Sequence, residues 1–460
     1  MYLHKILNGL FSLCMMLAVL YAHADDLRSE NTINFLSISD IHFDPFYSCN
    51  TAAATCSIIE TLRKAPASDW QTILTSNAKQ NQSYGKDTSY SLFASSLEEI
   101  KKESAYYHVR FALVLGDFLA HDFKQHYQQY TGDTSSEGLH SFVDKTLQFM
   151  VLSLKHNLPN IDIYPVVGNN DGYSEHYVSE PLFYKNSGPI FAQLIHDKIK
   201  QTDMVDQFSK NGYYALTIPT QPAIRLIVLN TTLFSQQATG TDAAGQEELS
   251  WLHKEVSLLA QRNQKALLAL HIPVGPDIYD TIKQGKTVTF WRTEATKNFL
   301  TEMNQYSDHI IAILPGHVHV DWFQIIHTTA NKSIIVTATP SISPVIGNNP
   351  GFKIYRYAQR SEKIKDYITY YYPLAQQQPW AIEYDFKKIY QPDCQECDLL
   401  NGIQNIQASG SLAEHYKKFY ALGRDVQPIT KNNQWLPYYY CAINHVAIAD
   451  YEHCITIPAN

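Results

Sequence analysis

Five short fragments of this 460-residue chain carry residue types that hold metal ions: Ser39-Asp40-Ile41-His42, Gly116-Asp117, Gly168-Asn169-Asn170-Asp171, His271-Ile272-Pro273 and Gly316-His317-Val318-His319. Asp40, His42, Asp117, Asn169, His271, His317 and His319 offer two carboxylates, one amide oxygen and four imidazoles, with no thiolate. That mixed oxygen and nitrogen set suits divalent first-row metals such as zinc, iron or manganese. A carboxylate has free lone pairs on both oxygens and can bridge two cations. Two metals about 3.5–4 Å apart can hold a bridging hydroxide, polarise a phosphoryl oxygen and stabilise the charge that builds up on in-line attack. The i, i+2 spacing of Asp40 with His42, and of His317 with His319, predicts that each pair shares one side of an extended segment. Singly, such pairs are common in a chain with 19 histidines, so the signal is the ordered set.

Each fragment follows a short apolar run. The runs are Ile33–Ser39, Phe111–Leu115, Ile161–Val167, Ile224–Leu229, Ala266–Leu270, Ile310–Leu314 and Ile334–Thr337, all of strand length and rich in Val, Ile, Leu or Phe. Helical patterns lie between them near Tyr90–Tyr107, His140–His156, Gln246–Gln261 and Thr293–Tyr306, with Asp242 or Gly245 opening the third. The alternation predicts an α/β layered core, sheets flanked by helices, rather than hairpins alone. In such sheets the carboxyl ends of the strands converge on one edge where ligands bind, so residues distant in sequence can meet there.

The character changes after Pro344. Gly347-Asn348-Asn349-Pro350-Gly351 is a turn cluster, and the segment beyond it is aromatic-rich with a helical stretch at Ser411–Leu422 and a clipped loop at Pro392–Cys397. We therefore expect a catalytic domain over 33–344 and a smaller disulfide-bearing C-terminal subdomain over 345–460. With 45% hydrophobic and 17% charged residues, the chain can build a substantial core. The net charge of −8 and the lack of a long basic run argue against a nucleic-acid polymer as partner.

The ordered fragments resemble the calcineurin-like metallophosphoesterases, whose pattern runs D-x-H, G-D, G-N-H, H and G-H-x-H. Asp40-Ile-His-Phe-Asp-Pro-Phe-Tyr47 and Gly116-Asp-Phe-Leu-Ala-His-Asp122 look like the acid sphingomyelinase-like phosphodiesterase branch. The resemblance implies a metallophosphoesterase core in which Asp40, His42, Asp117 and His319 hold one metal. Asp117, as the bridge, with Asn169, His271 and His317 would hold the second, and zinc is the metal the branch implies. The family's G-N-H histidine is Asn170 here, which can donate a hydrogen bond but cannot deliver a proton. His121, four residues after Asp117, matches a second active-site histidine of the branch. It is expected either to protonate the leaving oxygen or only to hydrogen-bond within its loop. Ala120 stands where purple acid phosphatases carry tyrosine, so that relative is disfavoured.

Residues 1–24 read as a secretory signal, with Lys5, an apolar stretch from Ile6 to Leu20 and an Ala22-His23-Ala24 cleavage site; an uncleaved anchor is the alternative. Six cysteines then remain, and an even number in an exported chain predicts three disulfides, with nearest-neighbour pairing (Cys49–Cys56, Cys394–Cys397, Cys441–Cys454) preferred among many connectivities. Asn81, Asn230 and Asn331 head glycosylation sequons. Only a few residues separate the cleavage site from the first strand, so the lipid-presenting saposin domain of full-length acid sphingomyelinases is expected to be absent. The expected protein is thus a secreted or extracytoplasmic phosphodiesterase acting, through a metal-bridging hydroxide, on a small or head-group diester of nucleotide-like or phosphocholine type. The alternatives are a sphingomyelinase-type lipid phosphodiesterase, touching membrane through Trp380 or Tyr438-Tyr439-Tyr440, and a catalytically impaired binding homologue.

Overall fold

The computed structural model describes residues 31–77, 82–174, 176–394, 396–406 and 410–456; the expected signal segment and Asn81 lie outside the described residues. Two six-stranded sheets form the core. The first has the order β12-β11-β10-β1-β2-β3 and the second β4-β5-β6-β7-β9-β8. The strands are β1 (Thr32–Ile38), β2 (Val109–Val114), β3 (Asp162–Pro165), β4 (Tyr214–Ile218), β5 (Ile224–Val228), β6 (Ala266–Ala269), β7 (Ile310–Leu314), β8 (Phe323–His327), β9 (Ser333–Thr337), β10 (Gly351–Ala358), β11 (Lys363–Tyr371) and β12 (Ala381–Asp385). All seven apolar runs are strands, because each is buried along most of its length and has no period that a helix could use.

β1, β2 and β3 are mutually parallel, as are β5, β6 and β7. The loops leaving β1, β2, β3, β6 and β7 carry Asp40, Asp117, Asn169, His271 and His317 respectively. Parallel pairing is what brings these five carboxyl ends to one side of the core. The helical patterns are present as Tyr90–Tyr106, Ser136–Asn157, Asp242–Arg262 and Thr293–Gln305. Ser89 and Ser135 cap the first two by accepting from Leu92 N and Gly138 N.

The first sheet crosses the boundary expected at residue 344. β10 pairs antiparallel with β1, and β11 and β12 extend the sheet beyond it. The cause is the free edge of β1, which a buried strand cannot leave unpaired. Phe35 on β1 stacks between Phe111 on β2 and Tyr355 on β10, at ring separations of 4.8 and 4.9 Å. The aromatic richness that marked the C-terminal segment as different is therefore core packing. Of the aromatics expected as a membrane contact, Trp380 and Tyr439 are buried and Tyr438 and Tyr440 are half-buried. Among the described residues no helix is long and apolar enough to cross a membrane.

The three disulfides pair Cys49 with Cys56, Cys394 with Cys397 and Cys441 with Cys454, which fits an extracytoplasmic protein. Asn230 is fully buried and its amide donates to Tyr184 Oη and Asn211 O, so that sequon cannot carry a glycan, whereas Asn331 is exposed.

One buried ion pair ties the sheet to the loop after β7. Lys353 Nζ on β10 lies 2.7 Å from Asp321 Oδ1, and Thr369 and Tyr384 donate to Asp321 Oδ2 at 2.7 and 3.0 Å. Both charges are shut off from water, so removing one strands the other. Lys353→Met is expected to destabilise the chain by about 3–5 kcal/mol, read by guanidinium denaturation. A loss below about 1 kcal/mol would dismiss the pair as an anchor.

Candidate metal centre

The seven residues singled out in the sequence converge. Among the described residues, three groups of acidic and histidine side chains place one ligand atom each within 4.8 Å of the others: Asp40 with His42 and His319, Asp117 with His271 and His317, and His42 with Asp87 and His121. Asn169 joins the second, its Oδ1 lying 3.0 Å from His271 Nε2. One atom links the first two groups: Asp117 Oδ2 lies 3.4 Å from His42 Nε2 and 3.2 Å from His271 Nε2. A single carboxylate oxygen thus faces ligand nitrogens from both sides, as a bridge between two cations requires.

The chain between strand end and ligand is not extended, contrary to the spacing argument. Asp40, His42, Asp117, His317 and His319 all have positive φ, from 44° to 69°. Left-handed backbone at five non-glycine residues is unfavourable and persists only where the surroundings enforce it, as they do at functional sites. The loops enforce it here: Asp40 N and His42 N donate to Gly116 O and Asp117 O, Gly316 N donates to His271 O, and Asp321 N donates to Tyr420 O. Gly168 is needed because an added Cβ would fall 2.1 Å from Asp117 Oδ1 and 2.3 Å from Asp117 N.

The ring nitrogens away from the cluster set the orientation of two imidazoles. His42 Nδ1 donates to Leu119 O at 3.0 Å and His271 Nδ1 to Leu115 O at 2.7 Å, which turns each Nε2 inward. Asp40 Oδ2 accepts from Ser39 Oγ and from His317 N. Its other oxygen, Oδ1, is buried with no hydrogen-bond partner although His319 Nε2 lies 3.2 Å away. A buried carboxylate oxygen without a donor is costly unless a cation meets it. Two ionised carboxylates and four imidazoles, all buried except the half-buried His317, therefore fit divalent metal ions.

The electrostatics agree. Burial opposes ionisation of Asp117, but His271 and His42 outweigh it and hold the carboxyl well below the usual range. Asp40, pushed up by burial, is pulled to about 2 by His319 and His271. Burial lowers His42 to about 4, with His121 adding to the effect, and lowers His317 to about 3 with help from His271. Both are neutral at pH 7 and can ligate. Burial opposes charge on His271 as well, yet Asp117 raises it to about 9, and His271 would yield that proton to a cation.

Among the neighbours that complete the cleft, Asp87, His176, Tyr177 and Gln237 carried no signal in the sequence. Asp87, which no motif marks, lies 3.0 Å from His121 Nδ1 and accepts from His121 N at 2.7 Å. The His121 ring stacks on His42 at 4.2 Å. Asn170, in the position of the family's histidine, donates to Asp117 twice, from its backbone N at 2.8 Å to Oδ1 and from Nδ2 at 2.7 Å to Oδ2. Asp171 accepts from Phe118 N, Leu119 N and Gly168 N and clasps the two loops together. A cleft of about 490 Å³ opens over the cluster, with His121, His176, Tyr177 and Gln237 on its walls.

No family model matches the chain. Curated relatives do. The cyclic GMP-AMP phosphodiesterase SMPDL3A of Bos taurus is 24% identical over 321 residues, spanning 66% of this chain and 69% of that protein. The acid sphingomyelinase-like phosphodiesterase 3b of Mus musculus is 23% identical over 449 residues, 92% of this chain and 89% of that one. The sphingomyelinase phosphodiesterase C of Dictyostelium discoideum is 26% identical over 314 residues, 63% of each. The chain is thus similar to the acid sphingomyelinase-like phosphodiesterases. Among solved structures, the calcineurin-like phosphoesterase YfkN from Bacillus subtilis aligns over 83% of this chain and 98% of that one at 10% identity and TM-score 0.34, too loose a likeness to bear weight.

Asp117 is the residue that both ligand groups share. Asp117→Asn is expected to cut the bound divalent cations to less than half the wild-type content, while Asp40→Asn spares the second group. Elemental analysis of the purified variants reads this, with circular dichroism confirming that they fold. Wild-type metal content in Asp117→Asn would rule out the shared ligand.

Proposed function

We propose that the chain is an extracytoplasmic phosphodiesterase that hydrolyses a small or head-group phosphate diester, of nucleotide-like or phosphocholine type, at a two-cation centre loaded with zinc. The observation that carries this reading is the Asp117 oxygen set between His42 and His271. Asp40, His42, Asp117 and His319 would hold one cation, and Asp117, Asn169, His271 and His317 the other. Cations bound there supply Lewis acidity and an activated water. The relatives' names, a cyclic dinucleotide phosphodiesterase and sphingomyelinases among them, support a diester as substrate.

The remaining work falls to side chains of the cleft. His121 is held by Asp87 through Nδ1, so its Nε2 is free to carry a proton towards the leaving oxygen. Burial opposes charge on His121, but Asp87 outweighs it and holds the ring above the usual imidazole range. Asn170 cannot replace it as a donor of protons; its two hydrogen bonds position Asp117 instead.

A second reading, a lipid phosphodiesterase of sphingomyelinase type, draws on an apolar cavity of about 340 Å³ beside the cleft. Tyr279, Phe290 and Trp322 line it, and it shares His317 and Ile346 with the cleft. A substrate panel of phosphomonoesters, dinucleotides, choline phosphodiesters and sphingomyelin vesicles, with and without zinc, separates the two. Turnover of soluble diesters is expected; turnover of vesicles alone would reverse the order. No bound metal and no turnover of any ester would favour the impaired homologue.

The role of His121 has its own signature. His121→Ala is expected to slow an alkyl diester by about 10²–10⁴-fold. Bis(p-nitrophenyl) phosphate, whose leaving group departs without a proton, should lose at least about tenfold less. Equal losses on both substrates would remove His121 as the acid.

A further inference from the structure

Phosphoryl transfer needs positive charge or hydrogen-bond donors at the non-bridging oxygens, where negative charge is concentrated. Lys and Arg commonly supply it. Among the described residues lining the cleft none is Lys or Arg, and the cationic side chains available are imidazoles. One of them, His176, belongs to none of the ligand groups.

The protonation of His176 follows from its neighbours. Asp117 is ionised and accepts only, so the amide group that meets its Oδ2 at 2.7 Å must be Asn170 Nδ2. Asn170 Oδ1 is then the outer atom, and it meets His176 Nδ1. A carbonyl oxygen accepts only, so His176 Nδ1 carries hydrogen. The opposite nitrogen, Nε2, lies 3.4 Å from Asp122 Oδ1. A carboxylate oxygen accepts only, so that approach sets Nε2 to donate as Nδ1 does. The two ends differ in grip. Nδ1 is anchored through Asn170 to the Asp117 carboxylate, while Nε2 faces an Asp122 side chain 54% exposed and so can exchange partners. The His176 ring stands 5.7 Å from His121, on the wall of the same cleft.

The geometry points to His176 as a second catalytic residue, an imidazolium anchored by Asn170 that donates its Nε2 hydrogen to a non-bridging phosphoryl oxygen. This rests on reading the cleft as a phosphodiesterase centre. It also gives Asn170 a purpose: its amide donates to Asp117 with one atom and accepts from His176 with the other. His176 thus meets the charge of the transition state and His121 the leaving oxygen. No bond to His176 forms or breaks, and its proton stays on the ring.

The test uses the full, metal-loaded chain. His176→Ala is expected to lower kcat/KM by about 10²–10³-fold, by the same factor for bis(p-nitrophenyl) phosphate and an alkyl diester. Cation content should be unchanged and inhibition by orthovanadate weakened by a similar factor. His176→Arg, which keeps charge and donors, should recover at least about tenfold of the loss. Activity of His176→Ala within about threefold of wild type, or a loss matched by lost cations, overturns the proposal. If the wild type cleaves no diester, the phosphodiesterase reading fails by itself. Calorimetric binding of orthovanadate then still decides on His176, and equal affinities for wild type and His176→Ala overturn it.

Discussion

The constraint on which the site depends is the burial of the Asp117 carboxylate. A carboxylate without water must be surrounded by donors or cations, or give up its charge. Asp117 has two donors from Asn170 and imidazole nitrogens on two sides, and it stays ionised. Much of the local architecture follows. Gly168 has no side chain because the carboxylate occupies that volume. Asp171, close enough to feel the Asp117 charge, is pushed by burial and that repulsion to about 7 while its oxygens pin the loops around it.

Holding such a cluster requires loops that cannot relax. Five candidate ligands sit in left-handed backbone, a conformation their side chains disfavour. Cross-loop hydrogen bonds impose it, and those bonds exist only because parallel strands from both sheets deliver their carboxyl ends to one place. The Asp321–Lys353 pair extends the same logic outward. It fastens the loop bearing His317 and His319 to β10, so a strand far along the chain steadies the ligands supplied by β7.

The charge pattern of the cleft complements its chemistry. The chain carries a net charge of −8, and the cleft lacks Lys and Arg among its described lining residues. A phosphate diester must therefore meet its positive charge at the cations and the imidazoles. His121 with Asp87, and His176 with Asn170 and Asp122, are two such imidazoles with their protons placed by carboxylate or amide partners.

The sequence by itself determined the seven apolar runs, the four main helices and the set of ligand types, because strand burial and helical periodicity are local properties of composition. It also placed the ligands after strand ends, where a parallel sheet makes them neighbours. It misread two matters. The pairs Asp40 with His42 and His317 with His319 are spaced as if extended, yet their loops turn left-handed, since only contacts between loops impose that conformation. The segment from 351 to 385, expected within the C-terminal subdomain, completes the first sheet, since the partner of a strand edge is chosen across the whole chain. Tertiary structure alone decided that Asp87 reaches His121 and that Asn170 turns one amide to Asp117 and the other face to His176. Those contacts depend on side-chain directions at loop ends, which no sequence period encodes.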